Sequence, residues 1–474
     1  MSSVAATALM LLQASVAQGP RTISQTQKLD GVWRSEGYDD VFQIQGSAVK
    51  MFQVTARTCV AGSSAEREPG AIEGREASFK TVDGDVFFIR AGRDADHKLL
   101  HHQGASSDVR LDRVPRLPAA CNQPTPDTPA ANFEVFTRTW AENYISFDQR
   151  RVDWNEVVRA NRPKIASDTK PEQLFDVLAG MIEPFHDHHT YIDASSINRV
   201  FQGNRVGTDR LLKANGGEFR SKTMPALWAI TNRLYITTPF RDFCKDDGFP
   251  DGYLQYAHVD DRIGYLRIKA FGCSNNLGFN QRLEVFESAL DEIFSDPGLQ
   301  GLVIDVRINF GGSDTKGVLI ASRLATQKYL AYTKVARANP GDRNRWTPGT
   351  PIFVEPSSRP SFHGPVVLLT GLHTVSAGEN FTQALMGRTP HVTRIGENTQ
   401  GVFSDVLNRK LPNGWEFGLP NEVFRTKDGK TFDVGGIPPD IDVPVFGDAD
   451  VAAGTDPAMA RALELLRQAI SSKR

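Results

Sequence analysis

The sequence predicts a mixed α/β (α+β) chain: an all-β N-terminal part precedes a larger region in which strands and helices alternate. Three observations carry this. Ser78-Phe-Lys-Thr-Val82 and Val86-Phe-Phe-Ile89 flank Asp83-Gly84, the pattern of a tight hairpin. Phe133, Phe136, Trp140 and Tyr144 recur on one helical face. From Ile263 onward, short apolar runs alternate with amphipathic stretches, the texture of stacked strands and crossover helices.

The elements follow in chain order. Ala8-Leu-Met-Leu-Leu12 and the small residues Ala14-Ser-Val-Ala17 make residues 1–19 an expected signal peptide, although a positive n-region is missing. The protein is therefore expected to be exported, periplasmic or secreted. No other run approaches bilayer length, so no integral membrane segment is expected. Residues 25–115 read as a β-rich domain, a small barrel or sandwich, in which Asp40-Val-Phe-Gln-Ile-Gln45 alternates. Residues 116–130, with prolines at 118, 124, 126 and 129, read as a linker.

A helical cap and a turn-rich insertion are expected over 131–260. Asn132 is a candidate N-cap for the aromatic helix, Asp153 with Glu156 opens a second, and Leu174, Leu178 and Met181 line a third. The third ends near Pro184 and delivers the chain to His186-Asp-His-His-Thr190, while 195–260 show little periodicity.

The core is expected over 261–474. Strands are predicted at Ile263–Ile268, Leu302–Val306, 365–370 and 392–395. Helices are predicted along Leu283, Phe286, Leu290 and Ile293, from about Thr315, and from Ser376 through Met386. Hairpins are expected at Asn413-Gly414 and Asp428-Gly429, and a last helix with Asp456 as N-cap and Pro457 at its first position.

With 474 residues there is room for roughly two or three domains. Residues are 40% hydrophobic and 23% charged with net charge −2, which excludes a basic nucleic-acid surface and an intrinsically disordered chain. Four cysteines allow three pairings; locality favours Cys59–Cys121 and Cys244–Cys273, against free buried thiols in a reducing compartment.

The chemistry centres on Thr374-Val-Ser-Ala-Gly-Glu379. A serine at the turn from a buried strand into a helix exposes its hydroxyl beside free backbone N–H groups, which suits a nucleophile whose oxyanion must be stabilised. The competing reading is a capping box, in which Ser376 and Glu379 merely close the helix N-terminus. Asn309-Phe-Gly-Gly312, past the end of a central strand, can turn N–H groups into the same crevice, so Gly311 or Gly312 with Ala377 could form an oxyanion hole. Neither GxGxxG nor GxxxxGK[ST] is present, so no phosphate-binding loop is expected. The histidine cluster could be a general base, a metal ligand pair (His186 and His188) or a structural feature. No matched distant ligand set exists, and neither a metal nor a cofactor is expected.

Asp187-His-His-Thr190, Asp305-Val-Arg-Ile-Asn-Phe-Gly-Gly312, Thr374–Glu379, Gly396-Glu-Asn-Thr-Gln-Gly401 and Gly436-Ile-Pro-Pro-Asp440 occur in that order. This series resembles the C-terminal processing (tail-specific) and tricorn-core serine peptidases over roughly residues 130 to 445. The resemblance implies a crotonase/ClpP-like layered ββα core with a helical cap, and peptide or protein substrates. The processing branch uses a lysine base where this chain has Val402. The tricorn-core branch uses a histidine and an acid, which fall on His189 and Asp433, so the resemblance is to that branch. It implies a Ser376–His189–Asp433 acyl-enzyme mechanism. A catalytically inactive relative that binds peptides or apolar ligands is the alternative, and a crotonase-type acyl-CoA enzyme a more distant one.

Overall fold

Strands Gly31–Ser35, Asp40–Gln45, Ala48–Val54, Cys59–Arg67, Ala77–Thr81, Val86–Asp94, His97–His102 and Val109–Val114 (β1–β8) close into an antiparallel barrel. Alternation turns Trp33, Phe42, Ile44, Phe79, Phe87 and Leu100 into its interior. The structure, a computed structural model, describes residues 29–70, 74–123, 125–204, 219–274, 276–338 and 341–472. The signal peptide expected over 1–19 lies outside them. Cys59 is bonded to Cys121 and Cys244 to Cys273, the pairing that locality favoured.

The segment read as a linker is shorter than expected. Helix α1 runs Pro129–Asn143, and its N-cap is Thr128, whose Oγ1 accepts from Ala131 N at 3.2 Å. Asn132 is buried inside the first turn and donates to Asp127. Proline at the first helical position lacks only an N–H that would have no partner there, so Pro129 starts the helix instead of ending a linker. Helices α2 (Trp154–Asn161, N-cap Asp153) and α3 (Pro171–Ile182) follow as expected. Phe136, Trp140, Tyr144, Phe147, Trp154 and Phe185 form one aromatic cluster, reached from the far end of the chain by Phe417.

Of two small sheets, the first packs on this cluster and the second on the core of the central sheet. One has the order β10-β9-β22-β21, with β9 Tyr191–Ala194, β10 Arg199–Gln202, β21 Val406–Lys410 and β22 Glu416–Pro420. The other has the order β17-β16-β23, with β16 Tyr329–Ala336, β17 Thr350–Val354 and β23 Glu422–Arg425. Asn413-Gly414 turns the β21–β22 hairpin. Asp428-Gly429 makes only a tight turn, with Thr426 N donating to Lys430 O; among the described residues no strand returns after it to pair with β23, whose partner is β16.

The central sheet has the order β11-β12-β13-β14-β18-β20-β24. Its strands are Arg241–Phe243, Leu254–Asp260, Ile263–Ile268, Gly301–Asp305, Val366–Thr370, Thr393–Gly396 and Ile441–Asp442. From β13 to β24 all pairing is parallel, and β14 and β18 are buried along their whole length, as their unbroken apolar runs predict. The region without periodicity holds β12 and a helix, α4 (Met224–Tyr235), whose Pro225 and mixed faces hide the helical pattern. Helices α5 (Phe279–Phe294), α6 (Asp314–Ser322) and α7 (Ala377–Leu385) cover one face of the central sheet. After the short α8 (Asp448–Ala453), α9 (Pro457–Ser471) covers the other, packing Met459, Leu463 and Leu466 on Val303, Val367 and Leu369. Alternate residues of the same strand thus serve opposite layers.

Past the carboxyl ends of β14 and β18, a two-residue parallel pair forms: β15 (Ile308–Asn309) beside β19 (His373–Thr374). It lays the Asn309–Gly312 turn against the Thr374–Ser376 turn. That crevice beyond the strand ends is where an open parallel sheet offers a ligand site.

Candidate active site

Ser376 sits at the junction of β19 and α7 with φ +55° and ψ −121°. Positive φ is strained for a residue with a Cβ, costing on the order of 1–3 kcal/mol. The capping-box reading does not hold. Ser376 makes no side-chain cap bond, and Glu379 turns away to accept Gly401 N at 2.6 Å and Val402 N at 2.7 Å. The strained turn leaves the serine hydroxyl at the mouth of the crevice and Ala377 N–H at the first helical position, where no intrahelical acceptor exists.

Gly311 lies against the serine: a Cβ added to it would come within 3.3 Å of Ser376 Oγ and 2.8 Å of Ser376 Cβ. At φ +76° only glycine fits without both strain and clash. The Gly311 N–H, however, donates to Asn309 Oδ1 at 2.9 Å, and the Asn309 amide is itself anchored on Ile268 O. Gly311 thus gives close approach, and its N–H is already committed. Gly312, at φ +121°, is exposed beside it.

His189 is placed by the Asp187 motif. Asp187 is buried; its carboxylate takes the His189 N–H at 3.1 Å, the Tyr144 hydroxyl at 2.8 Å and the Arg150 guanidinium at 3.1 Å. Burial holds the His189 imidazole below its ordinary pKa, against the opposing charges of Asp187 and Asp405 and the Ser404 main chain, with His188 adding to the lowering. A neutral imidazole is the form a general base needs. His189 Nδ1 is buried and makes no hydrogen bond. In the small sheet, β9 and β21 both pair antiparallel with β22, so they run in the same direction. His189 and Ser404-Asp405, each just ahead of its strand, therefore share one end of that sheet.

Asp433 is reached through the loops. Val434 N donates to Gly401 O at 2.8 Å, and Gly401 is the residue held by Glu379. The Asp433 carboxylate accepts Thr431 Oγ1 at 2.5 Å and faces the Phe403 main chain. Burial, reinforced by the Asp187 charge, pushes its carboxyl up to about 7. Glu379 is likewise pushed up to about 7, first by burial and then by Asp433. The contacts Ser376–Glu379–Gly401–Val434 on one side and Phe403–Ser404–His189 on the other gather the three predicted residues around one loop, 399–405. Among the described residues no hydrogen bond joins Ser376 to His189 or His189 to Asp433.

Other motif residues turn out to be supports. Arg307, 1% exposed, binds Asp305 at 2.7 Å and Asp456 at 2.8 Å and so ties the end of β14 to the start of α9. Thr399 Oγ1 accepts from Ile437 N at 2.7 Å. Lys334, buried on β16, binds Asp405 at 2.7 Å and Glu422 at 3.0 Å. Sequence reasoning missed Glu379, Asn309 and Lys334 as organisers of the site. Each bonds to a residue distant in sequence or to a loop whose course no local pattern gives. No group of histidines, cysteines and carboxylates that could hold a metal occurs among the described residues.

A strained serine between strand and helix, with glycine backbone beside it and a histidine held neutral against the 399–405 loop, suits a serine-type peptidase. Residues 262–443 match the family model described as Peptidase family S41, in keeping with the motif series. A putative peptidase from Parabacteroides merdae is similar at 26% identity and TM-score 0.58, over 72% of this chain and 97% of that one. Mature CPAF shares the fold at 13% identity and TM-score 0.50, over 73% of this chain and 98% of that one. No curated protein matches the chain.

Proposed function

We propose that the protein hydrolyses peptides or unfolded protein segments through a Ser376–His189–Asp433 acyl-enzyme mechanism, on a crotonase/ClpP-like core of the tricorn type. The observation that carries this is the Ser376 backbone: the serine is held at a strained φ of +55° at a strand-to-helix turn, and its side chain makes no capping bond. His189 takes the hydroxyl proton as Ser376 attacks the carbonyl; the amine leaves with that proton, and water then hydrolyses the ester. The Ala377 and Gly312 N–H groups hold the oxyanion, each contributing about 3 kcal/mol to the lowered barrier. Asp433 orients the imidazole by a rotation of its carboxylate from Thr431. The chain is read as a leader over 1–19, a β domain over 25–115, a cap over 131–260 and the core over 261–474. Its two disulfides suit an oxidising compartment, hence export. No helix among the described residues is long and apolar enough to cross a membrane.

The test is labelling by a fluorophosphonate with hydrolysis of an unstructured fluorogenic peptide. Wild type should label at Ser376 and cleave, and Ser376→Ala should do neither while keeping its circular dichroism. Equal cleavage by purified Ser376→Ala would refute the assignment, and a folded wild type that neither labels nor cleaves would favour the binding-protein alternative.

A further inference from the structure

We infer that the N-terminal barrel is a positioning element of the active site, acting on the oxyanion loop through Ser106 and on the histidine side through Tyr38. The inference rests on the serine mechanism proposed above. The barrel lies outside the matched S41 segment, and its contacts with the core are specific.

The loop between β7 and β8 reaches the start of α6. Ser106 Oγ donates to Asp314 Oδ2 at 2.9 Å, and Thr315 Oγ1 donates to Gly104 O at 2.9 Å. Gly104, at φ +90°, lies so close to the Phe279 ring that an added Cβ would approach it to 3.0 Å. Asp314 and Thr315 come directly after Gly311-Gly312-Ser313. The opposite side of that turn is gripped by the core: Phe271 N donates to Gly311 O at 2.7 Å, and Ser313 N to Phe271 O at 3.0 Å. The oxyanion loop is thus clamped between the end of β13 and the barrel.

A second tether runs from Tyr38, ahead of β2. Its hydroxyl donates to Glu422 Oε1, Glu422 Oε2 lies 3.0 Å from Lys334 Nζ, and Lys334 binds Asp405 at 2.7 Å. Glu422 and Lys334 are 2% and 5% exposed, so each charge depends on its partners for compensation. Asp405 follows Ser404, whose hydroxyl accepts Asn421 N and Glu422 N, both at 3.0 Å, and whose main chain faces the His189 ring. The barrel therefore hydrogen-bonds to residues that support both halves of the catalytic crevice. A donor displaced by about 1 Å can cost on the order of 100-fold in rate.

The experiment measures fluorophosphonate phosphonylation of the full chain, which needs no knowledge of the natural substrate. Ser106→Ala and Tyr38→Phe should each lower the first-order step about 10-fold, with the half-saturating probe concentration within about 2-fold of wild type. Ser106→Thr, which keeps a hydroxyl, should return to within about 2-fold. Unchanged phosphonylation rates in both variants would overturn the inference. So would a reduced labelled fraction that reacts at the wild-type rate, because the barrel would then serve folding alone. A wild-type chain that does not label refutes the nucleophile assignment and this inference with it.

Discussion

Glu379→Gln tests how the nucleophile helix is coupled to the loop that carries the rest of the site. Glu379 is 0% exposed and accepts two main-chain N–H groups, at 2.6 and 2.7 Å. Burial first, and then Asp433, pushes its carboxyl from 4.5 to about 7. The folded-state pKa is raised, so the stability this group contributes is fully present below pH 4.5 and is lost as pH rises through about 7. The size of the shift makes that loss ~3 kcal/mol. Glutamine does not titrate, and it keeps one acceptor while turning an NH2 donor toward the second N–H. At pH 5 the variant should therefore be less stable by about 1–3 kcal/mol, the cost of one buried unpaired donor. Between pH 5 and 8.5 the gap should move by ~3 kcal/mol in the variant's favour, as only wild type has a carboxylate to ionise. Urea unfolding followed by tryptophan fluorescence at both pH values measures this. A stability difference that does not change with pH would show that Glu379 is not buried as a titrating acceptor.

The remaining expectations concern the reacting residues. Asp433 is pushed up to about 7 while His189 lies below the ordinary imidazole value, so kcat/KM should rise with pH through a limb near 7. Asp433→Asn should remove that limb, leave the lower histidine limb and reduce kcat by about 10³–10⁴-fold; a profile that keeps its limb at 7 would exclude Asp433 as the orienting acid. Ser376→Gly should abolish hydrolysis yet stabilise the fold by about 1–2 kcal/mol, since glycine accepts φ +55° without strain. A destabilised glycine variant in thermal unfolding would mean that the serine side chain holds its turn together.

Much of this was legible in one dimension. The runs at 302–305 and 366–370 are buried on both faces, and an unbroken apolar string states that directly. Asn-Gly and Asp-Gly pairs marked hairpins well where both partner strands existed, and failed at Asp428-Gly429, where the returning chain does not pair. Pro129 was ambiguous because proline both fills linkers and opens helices, and only Thr128's bond to Ala131 separates the two. Ser376 with Glu379 was ambiguous for a related reason: the spacing of a capping box is also the spacing of a nucleophile and a loop anchor.

By itself the sequence determined the class of fold and the strands of the core and favoured the disulfide partners, all from side-chain periodicity and locality, which are local properties. Which alcohol, imidazole and carboxylate to watch came from the resemblance carried by the motif series. The tertiary structure alone decided that Glu379 holds 401–402, that Asn309 occupies Gly311 N–H, and that the barrel clamps the oxyanion turn. Those contacts join segments up to 211 residues apart, and their energies depend on desolvation and direction that exist only once the chain has closed around them.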